Sequence, residues 1–593
     1  MTNLNQRWDL DSIFPGGSSS PELQEQLNSV RSQIAALKAK VEALGSELDA
    51  EQLRELVHEM QNVQAGFGEC RAFVACLTAQ NVRDNQAKLL QGDLGQISAA
   101  LAGVFTSIDH LLASIPEDRW QALFTDEELK ELSFNLNERR NVAKTKMAPD
   151  LEALATDLGV DGYHAWSHLY YTIVGDMSIE VERDGKAETL SMGQAANLLS
   201  NPDPDLRREV FHKFEAAWAE KAELFASTLN HLAGFRINLY QHRGWDDVLA
   251  EPLQINRMER ATLDAMWGAV QGGKPHLAKF LQRKAELLGL DQVAWYDLNA
   301  PLGDAGKEIP FEEAKAFVVD QFRKFSPEIA DFTQQALDRR WVEAENRGGK
   351  RPGAFCTSFP LSKESRVFMT YSGTISSLGT LAHELGHAYH GYVLKDRPMF
   401  LRRYAMNVAE TASTFGELLV VDGAISAASS PEEKLGILED KIGRSVAFFM
   451  DIHSRFLFET RFYEARKKGL VSATQLNELM TEAQKEAFLD ALKEYHPHFW
   501  ASKLHFYSTS VPFYNFPYTF GYLFSAGVYA KAKEEGQGFA RRYAELLGDT
   551  ARMSVEDLAR RHLGADLTKP DFWEAAVKLA TDDVEEFLRL TDK

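Results

Sequence analysis

Two histidines four residues apart, with a glutamate beside the first, are the most chemically loaded group in this chain of 593 residues. They lie in Leu381-Ala382-His383-Glu384-Leu385-Gly386-His387-Ala388, whose apolar flanks suit a helix. Positions i and i+4 share a helix face, so both imidazoles converge on one point. Nitrogen donors at that spacing suit zinc. Glu384 reaches over the position the protein leaves open, where it can take a proton from a bound water. Gly386 lowers helix propensity, which makes sense where something must approach the helix closely. A catalytic zinc set needs a third protein ligand. Tyr404 to Ser413 reads as the start of a second helix carrying Glu410, and Glu417 follows two turns later on the same face. The residues alone leave Glu410 and Glu417 as equal candidates, the other being free to orient a ligand histidine as an outer acceptor. His390 lies on the His387 face and is a lesser candidate for the metal.

These groups need a large scaffold, and the composition supplies one. The chain is 45% hydrophobic, with a formal net charge of -21 and a pI of about 5.3. Such a surface repels phosphate backbones and argues against general nucleic-acid binding. Three cysteines, Cys70, Cys76 and Cys356, give neither a disulfide framework nor a C-x-x-C pair. They read as small buried apolar groups. The N-terminus lacks the apolar region of a signal peptide, and the sequence has no uninterrupted apolar run of about 18 residues. A cytoplasmic protein without a membrane span is the expectation.

Most of the scaffold reads as helix. Leu23, Leu27, Val30, Ile34, Leu37, Val41, Leu44 and Leu48 follow spacings of four and three, and Leu53, Leu56, Val57, Met60 and Val63 form a second stripe. Together they predict an antiparallel helical hairpin rather than a dimerising coiled coil. Amphipathic helices are expected over 85–175. Ile179 to Glu182 alternates as a strand does, and Asp184-Gly185 predicts a hairpin turn, giving a short β-hairpin near 179–190. One long helix is expected from Leu206 to about Tyr240, after a turn at Asp203-Pro204. Ala354 to Phe359 and Arg366 to Tyr371 read as two strands, the second of them a candidate to bind a peptide by strand addition, with Gly373 permitting close approach. Helix is expected from Ile375 nearly to the end. The texture divides at about residue 200, into an N-terminal helical region over 1–200 and a catalytic region over 201–593.

At these residues the sequence resembles the oligoendopeptidase F branch of the thimet-oligopeptidase-like zinc metallopeptidases. The likeness opens at Trp8-Asp9-Leu10-Asp11-Ser12-Ile13-Phe14, recurs at Phe368 to Thr374, and is strongest over Thr380 to Gly391 and Val408 to Ser413. It ends in an aromatic block near 505–525. It implies a mainly α fold: a prolate helical body with a deep channel, and a small β-sheet beside the zinc-binding helices. It implies Glu410 as the third ligand of one zinc ion and Glu417 as a further acidic position. Short unstructured peptides, cut at internal bonds, are the implied substrates. In the family, a histidine and tyrosines of the aromatic block stabilise the oxyanion and clasp the substrate. His505 matches the histidine, and Tyr514, Tyr518 and Tyr522 are candidates for the tyrosines, although Pro517 interrupts a simple helix there. His496 and His498 read as surface or loop histidines. A metallocarboxypeptidase and a non-catalytic peptide-binding protein are the alternatives. The first lacks an evident arginine clamp, and the second is disfavoured by an intact His383, Glu384 and His387.

Overall fold

A 3.6-residue apolar period runs through most of the chain, and helices follow from it. The computed structural model describes residues 6–183, 185–303 and 308–592. It is 73% helical and 4% strand, the mainly α fold that was expected. The elements that matter here are α1 (Pro21–Ala43), α2 (Ala50–Gln80) and α3 (Asn85–Ser114), the hairpin β1 (Ser178–Arg183) and β2 (Lys186–Ser191), and the strands β3 (Val342–Glu343), β4 (Phe355–Phe359) and β5 (Glu364–Phe368). After them come α4 (Ile375–Leu394) and α5 (Met406–Ala427).

Two compact units are formed, each from three stretches of chain. The first comprises Met1–Lys146, Lys307–Gly423 and Lys531–Gly564, and the second Met147–Gly306, Ala424–Ala530 and Ala565–Lys593. The textural boundary near residue 200 does not follow this division, because the chain alternates between the units.

In the first unit, the Ser20 side chain accepts from Leu23 N at the start of α1, with Pro21 in the first turn. Leu23, Leu27, Val30, Ile34, Leu37 and Val41 are buried along one face of α1, against α2. This is the predicted hairpin, and it accounts for the stripe within one chain. α3 packs on both helices. Alone among the described residues, α3 is long and apolar enough to cross a membrane. Its buried residues, Leu90, Leu94, Ile97, Leu101, Val104, Ile108 and Leu112, keep the spacing of a core-facing stripe.

The three-stranded sheet has the order β3-β5-β4. β3 runs parallel to β5, with Val342 opposite Val367, and β4 antiparallel, with Cys356 opposite that same Val367. β5 is therefore the central strand. That corrects the strand-addition reading for residues 366–368, because both sides of β5 are already paired. The free edge on the α2 side belongs to β4, which also packs on α2. The Trp8 segment is bound to this sheet: its indole lies 5.7 Å from the Phe368 ring, and Arg366 Nε donates to Asp9 O at 2.9 Å. Cys70 and Cys76 are buried and free, as expected, whereas Cys356 is half-buried.

In the second unit, β1 and β2 pair antiparallel with Val181 opposite Glu188. Gly185 takes φ 73°, suiting the predicted turn, while Asp184 lies outside the described residues. The single helix expected over 206–240 is two, Pro204–Glu220 and Ala222–Arg243. Lys221 leaves helical geometry at φ -104°, ψ 6°, and its N–H closes on Trp218 O. No Gly or Pro marks the break, so periodicity runs through it.

Candidate metal centre

Thr374 starts α4 with a reciprocal cap: its hydroxyl accepts from Ser377 N at 3.1 Å, and Ser377 Oγ accepts from Thr374 N at 3.0 Å. Gly373 precedes it at φ 74°, and a Cβ there would stand 2.6 Å from Glu308 Cγ. The close neighbour that this glycine admits is a side chain of its own unit.

α5 crosses α4 backbone to backbone. A Cβ at Gly386 would lie 2.4 Å from Ala412 O and 2.7 Å from Ser413 Cα. One at Gly416 would lie 3.1 Å from Ala382 O. The close approach read from Gly386 is thus made by α5, and it sets Glu410 and Glu417 beside the two histidines. His383 Nε2 stands 3.2 Å from Glu410 Oε2, and His387 Nε2 3.5 Å from that same oxygen. On its other side, His383 Nδ1 stands 3.0 Å from Glu417 Oε2. A carboxylate thus faces each ring nitrogen of His383, and with a cation on the Nε2 side Glu417 would hold the ring proton on Nδ1 and leave the Nε2 electron pair for the ion. Two ring nitrogens and a carboxylate oxygen then face one another within 4.8 Å. Such donors repel one another unless a cation lies among them, and the N, N, O set suits zinc. The two glutamates that the residues alone left equal lie on different sides of His383: Glu410 on the Nε2 side, within the donor group, and Glu417 on the Nδ1 side.

The electrostatics follow from burial. Desolvation raises the Glu384 carboxyl to about 7, with Glu410's charge adding to it and His383 opposing. Glu384 Oε2 is buried without a hydrogen-bond partner among the described residues. Burial also works to raise Glu410, but the His383 hydrogen bond and the His387 and His383 charges outweigh it and hold the carboxyl down at about 2. Ser413 Oγ, donating to Glu410 Oε2 at 2.8 Å, assists. Sequence reasoning gave Ser413 no role, although its i+3 spacing from Glu410 was the available signal. Burial lowers His387 to about 4, against the pull of Glu410. His390 is elsewhere: its Nε2 meets Thr550 Oγ1 at 2.9 Å, and its ring stacks on Tyr404 at 4.2 Å.

The aromatic block belongs to the second unit. His505, Tyr514 and Tyr518 are half-buried and mutually close. The His505 and Tyr514 rings stack at 4.9 Å, and Tyr514 and Tyr518 lie 5.8 Å apart. Pro517 does not break a helix here. It sits in the first turn of helix Phe516–Glu535, where a missing N–H is tolerated, so Tyr514 precedes the helix and Tyr518 and Tyr522 lie on it. Burial, with the Arg455 and Lys503 charges, lowers His505 to about 4. Arg455 Nη1 stands 3.5 Å from His505 Nδ1 and can only donate, so the ring proton sits on Nε2. Tyr522 is buried, stacked on Phe448 at 4.5 Å, with its hydroxyl 2.9 Å from Ser445 Oγ. His496 and His498 lie in a loop as expected, but not at the surface: His496 is buried, and both rings bond Glu215. Glu215 is remote in sequence, and nothing near the histidines announces it.

Residues 197–579 match the family model described as Peptidase family M3, and residues 112–178 match Oligopeptidase F. The chain belongs to peptidase family M3. It is 24% identical to oligopeptidase PepF of Bacillus subtilis (strain 168), over 99% of this chain and 87% of that protein. It is 20% identical to the oligoendopeptidase F homolog of Lactococcus lactis subsp. lactis (strain IL1403), over 99% and 97% of the two. The crystal structure of oligoendopeptidase-F from Enterococcus faecium is similar at a TM-score of 0.68 and 17% identity, over 96% of this chain and 97% of that one. PZ peptidase A with inhibitor 2 gives 0.73 and 16%, over 94% and 97%. The fold is that of these M3 peptidases.

The Gly386 contact yields a prediction for this M3 peptidase. Gly386→Ala should destabilise it by about 1–3 kcal/mol through overpacking and weaken zinc uptake, because α5 must retreat with Glu410. Gly103→Ala on α3, where a Cβ meets nothing within 4 Å, should instead stabilise by about 0.5–1 kcal/mol. Thermal melting and zinc titration against a chelator check both.

Proposed function

We propose that this M3 peptidase is a cytoplasmic zinc endopeptidase that cuts internal bonds of short unstructured peptides. The observation that carries the reading is the convergence of His383 Nε2 and His387 Nε2 on Glu410 Oε2, with Glu384, whose buried Oε2 has no hydrogen-bond partner among the described residues, next to His383 on the same helix. His383, His387 and Glu410 would hold one zinc ion. When bound, zinc supplies a Lewis acid that acidifies water and polarises a carbonyl. Glu384 accepts the proton of the attacking water and returns it to the departing amine. Glu417 keeps the His383 proton on Nδ1 and so keeps Nε2 available. The oligopeptidase and oligoendopeptidase names of the relatives support short peptides as substrates.

For the oxyanion, the candidates are His505, Tyr514, Tyr518 and Tyr522. A donor must be able to reach the substrate. His505, carrying its proton on Nε2, and the half-buried Tyr514 and Tyr518 suit that better than Tyr522, whose hydroxyl is engaged by Ser445. We therefore assign the donor role to the first three and a packing role to Tyr522.

Glu384→Gln should keep stoichiometric zinc and lose ~10²–10⁴-fold or more in turnover of an internally quenched peptide. Near-normal hydrolysis would remove Glu384 as the base, and release of C-terminal residues alone by the unaltered enzyme would favour a carboxypeptidase. Glu410→Ala should lose zinc on dialysis against a weak chelator, whereas Glu417→Ala should weaken binding by only about 10–100-fold. The reverse order would exchange their roles. Tyr514→Phe should lower kcat by about 10²–10³-fold with KM and zinc content little changed. Tyr522→Phe should act chiefly on melting temperature, by the loss of a buried hydrogen bond.

A further inference from the structure

The first unit holds a cavity of 480 Å³ that the chemistry above does not use. β4 forms one wall through Cys356, Thr357, Ser358 and Phe359, and α4 another through Ala388, Gly391 and Tyr392. β4 is an edge strand. Alternate residues of an edge strand turn their N–H and C=O groups away from the sheet. Among the described residues, no backbone group outside the sheet bonds those of residues 355–359. Glu384, Ala388, Gly391, Tyr392 and Lys395 follow the spacing of one helix face, so the cavity adjoins the face of α4 that carries Glu384.

The charge of this cavity is opposite to that of the chain. Arg71, Lys363, Lys395, Arg402 and Arg403 line it, against the single carboxylate of Glu364. Glu364 is already bonded to Arg339 at 3.2 Å and Arg366 at 3.0 Å, and Lys363 is paired with Asp396 at 2.6 Å. Arg71, Lys395 and Arg402 have weaker company. The Arg71 guanidinium lies 6.0 Å from the Phe67 ring, Lys395 Nζ 3.7 Å from the Tyr392 ring, and Arg402 donates to the carbonyls of Arg397 and Pro360. No ion pair joins Arg71, Lys395 or Arg402 to a carboxylate among the described residues. In a chain of net charge -21, cations gathered in one cavity concentrate the attraction for an anion there.

We propose that this cavity receives an extended peptide, whose backbone pairs with the free edge of β4 and whose acidic side chain is held by Arg71, Lys395 and Arg402. Strand addition supplies affinity without sequence preference, and a pocket for alternate side chains supplies the preference. Guanidinium and ammonium groups select a carboxylate. This rests on the peptidase reading and adds the substrate class: peptides with Asp or Glu at a fixed distance from the cleaved bond.

The test uses the zinc-loaded enzyme and pairs of internally quenched peptides that differ only by Glu or Gln, moved through each position. At one position the Glu peptide should have a kcat/KM about tenfold higher, with a ratio that falls as salt rises. Arg71→Gln should bring that ratio towards one, and Arg71→Glu with Lys395→Glu should invert it. Arg71 is exposed, so an unchanged melting temperature is expected and excludes unfolding as the cause. Equal rates for Glu and Gln at every position would overturn the proposal while leaving the peptidase reading intact. So would a preference confined to the free C-terminus and abolished by its amide, since that is recognition of a chain end. If no peptide is cut, the peptidase reading fails. Fluorescence anisotropy of the same peptides on Glu384→Gln then decides the subsite: tighter binding of a Glu peptide supports it, and equal binding overturns it.

Discussion

The backbone contact between α4 and α5 is the constraint on which the candidate metal centre depends. Gly386 lets Ala412 O come closer than any side chain would allow, and Gly416 returns the favour against Ala382 O. Helices that touch through main chain are held at a distance fixed by covalent geometry, so Glu410 and Glu417 reach the histidines without long, mobile side chains. α5 is gripped by a further helix as well. Gly416 also admits the Phe322 ring at 3.1 Å, and a Cβ at Gly423 would stand 2.3 Å from Gln321 Oε1. Small residues thus run along α5 wherever a neighbour presses on it. α4 is seated by other means: the Thr374 cap at its start, and Gly391 against Ser358 Oγ and Ser365 Oγ of the sheet near its end.

Once the helices are so close, burial of charge becomes the next problem. A buried carboxylate is costly unless it is paired or bonded. Glu410 meets that condition through His383, His387 and Ser413, and stays ionised. Glu384 does not, and burial raises it towards neutrality. Neighbouring glutamates on one small site therefore have opposed proton affinities, one suited to hold a cation and the other to exchange a proton. Glu417 stands apart from both, because it faces His383 Nδ1 rather than the donor group.

The parts of this site that were legible in the sequence are those that a single helix determines. His383 and His387 at i, i+4 need only helix geometry, and the sequence shows that. The choice between Glu410 and Glu417 depends on where α5 crosses α4, a tertiary fact with one local trace, Gly386; the family resemblance supplied what spacing could not. The apolar stripes of α1 and α2 were legible because burial and helical period coincide. β5 as the central strand was not, since β3 is two residues long and pairs across a gap in sequence. Nor was the burial of His496, whose partner Glu215 lies on a helix far upstream. The break at Lys221 leaves no mark in composition. Pro517 was visible but misread, as a proline in a first turn looks the same in sequence as one that breaks a helix.

The scaffold of the metal centre also reaches further along the chain than its motifs suggest. The family model of peptidase family M3 begins at residue 197, yet α1, α2 and α3 share one core with Phe359, Phe368, Phe400 and Leu401. Those four residues come from the sheet beneath α4 and from the turn that leads into α5. Trp8 joins the same core, with its ring on Phe368 and its indole N–H donating to Gln80 Oε1 at 2.7 Å. Arg366, fully buried on β5, has its guanidinium satisfied by Asp9 O, Ser12 Oγ, Glu364 and its neighbour's carbonyl. Removing the first segment would uncover the Phe368 ring and leave a buried guanidinium short of two acceptors, each a cost of about 1–3 kcal/mol. The N-terminal helices are therefore structural members of the metal centre. The resemblance over Trp8 to Phe14 has a physical basis in the same fact: those residues hold the strand against which the histidine helix is set.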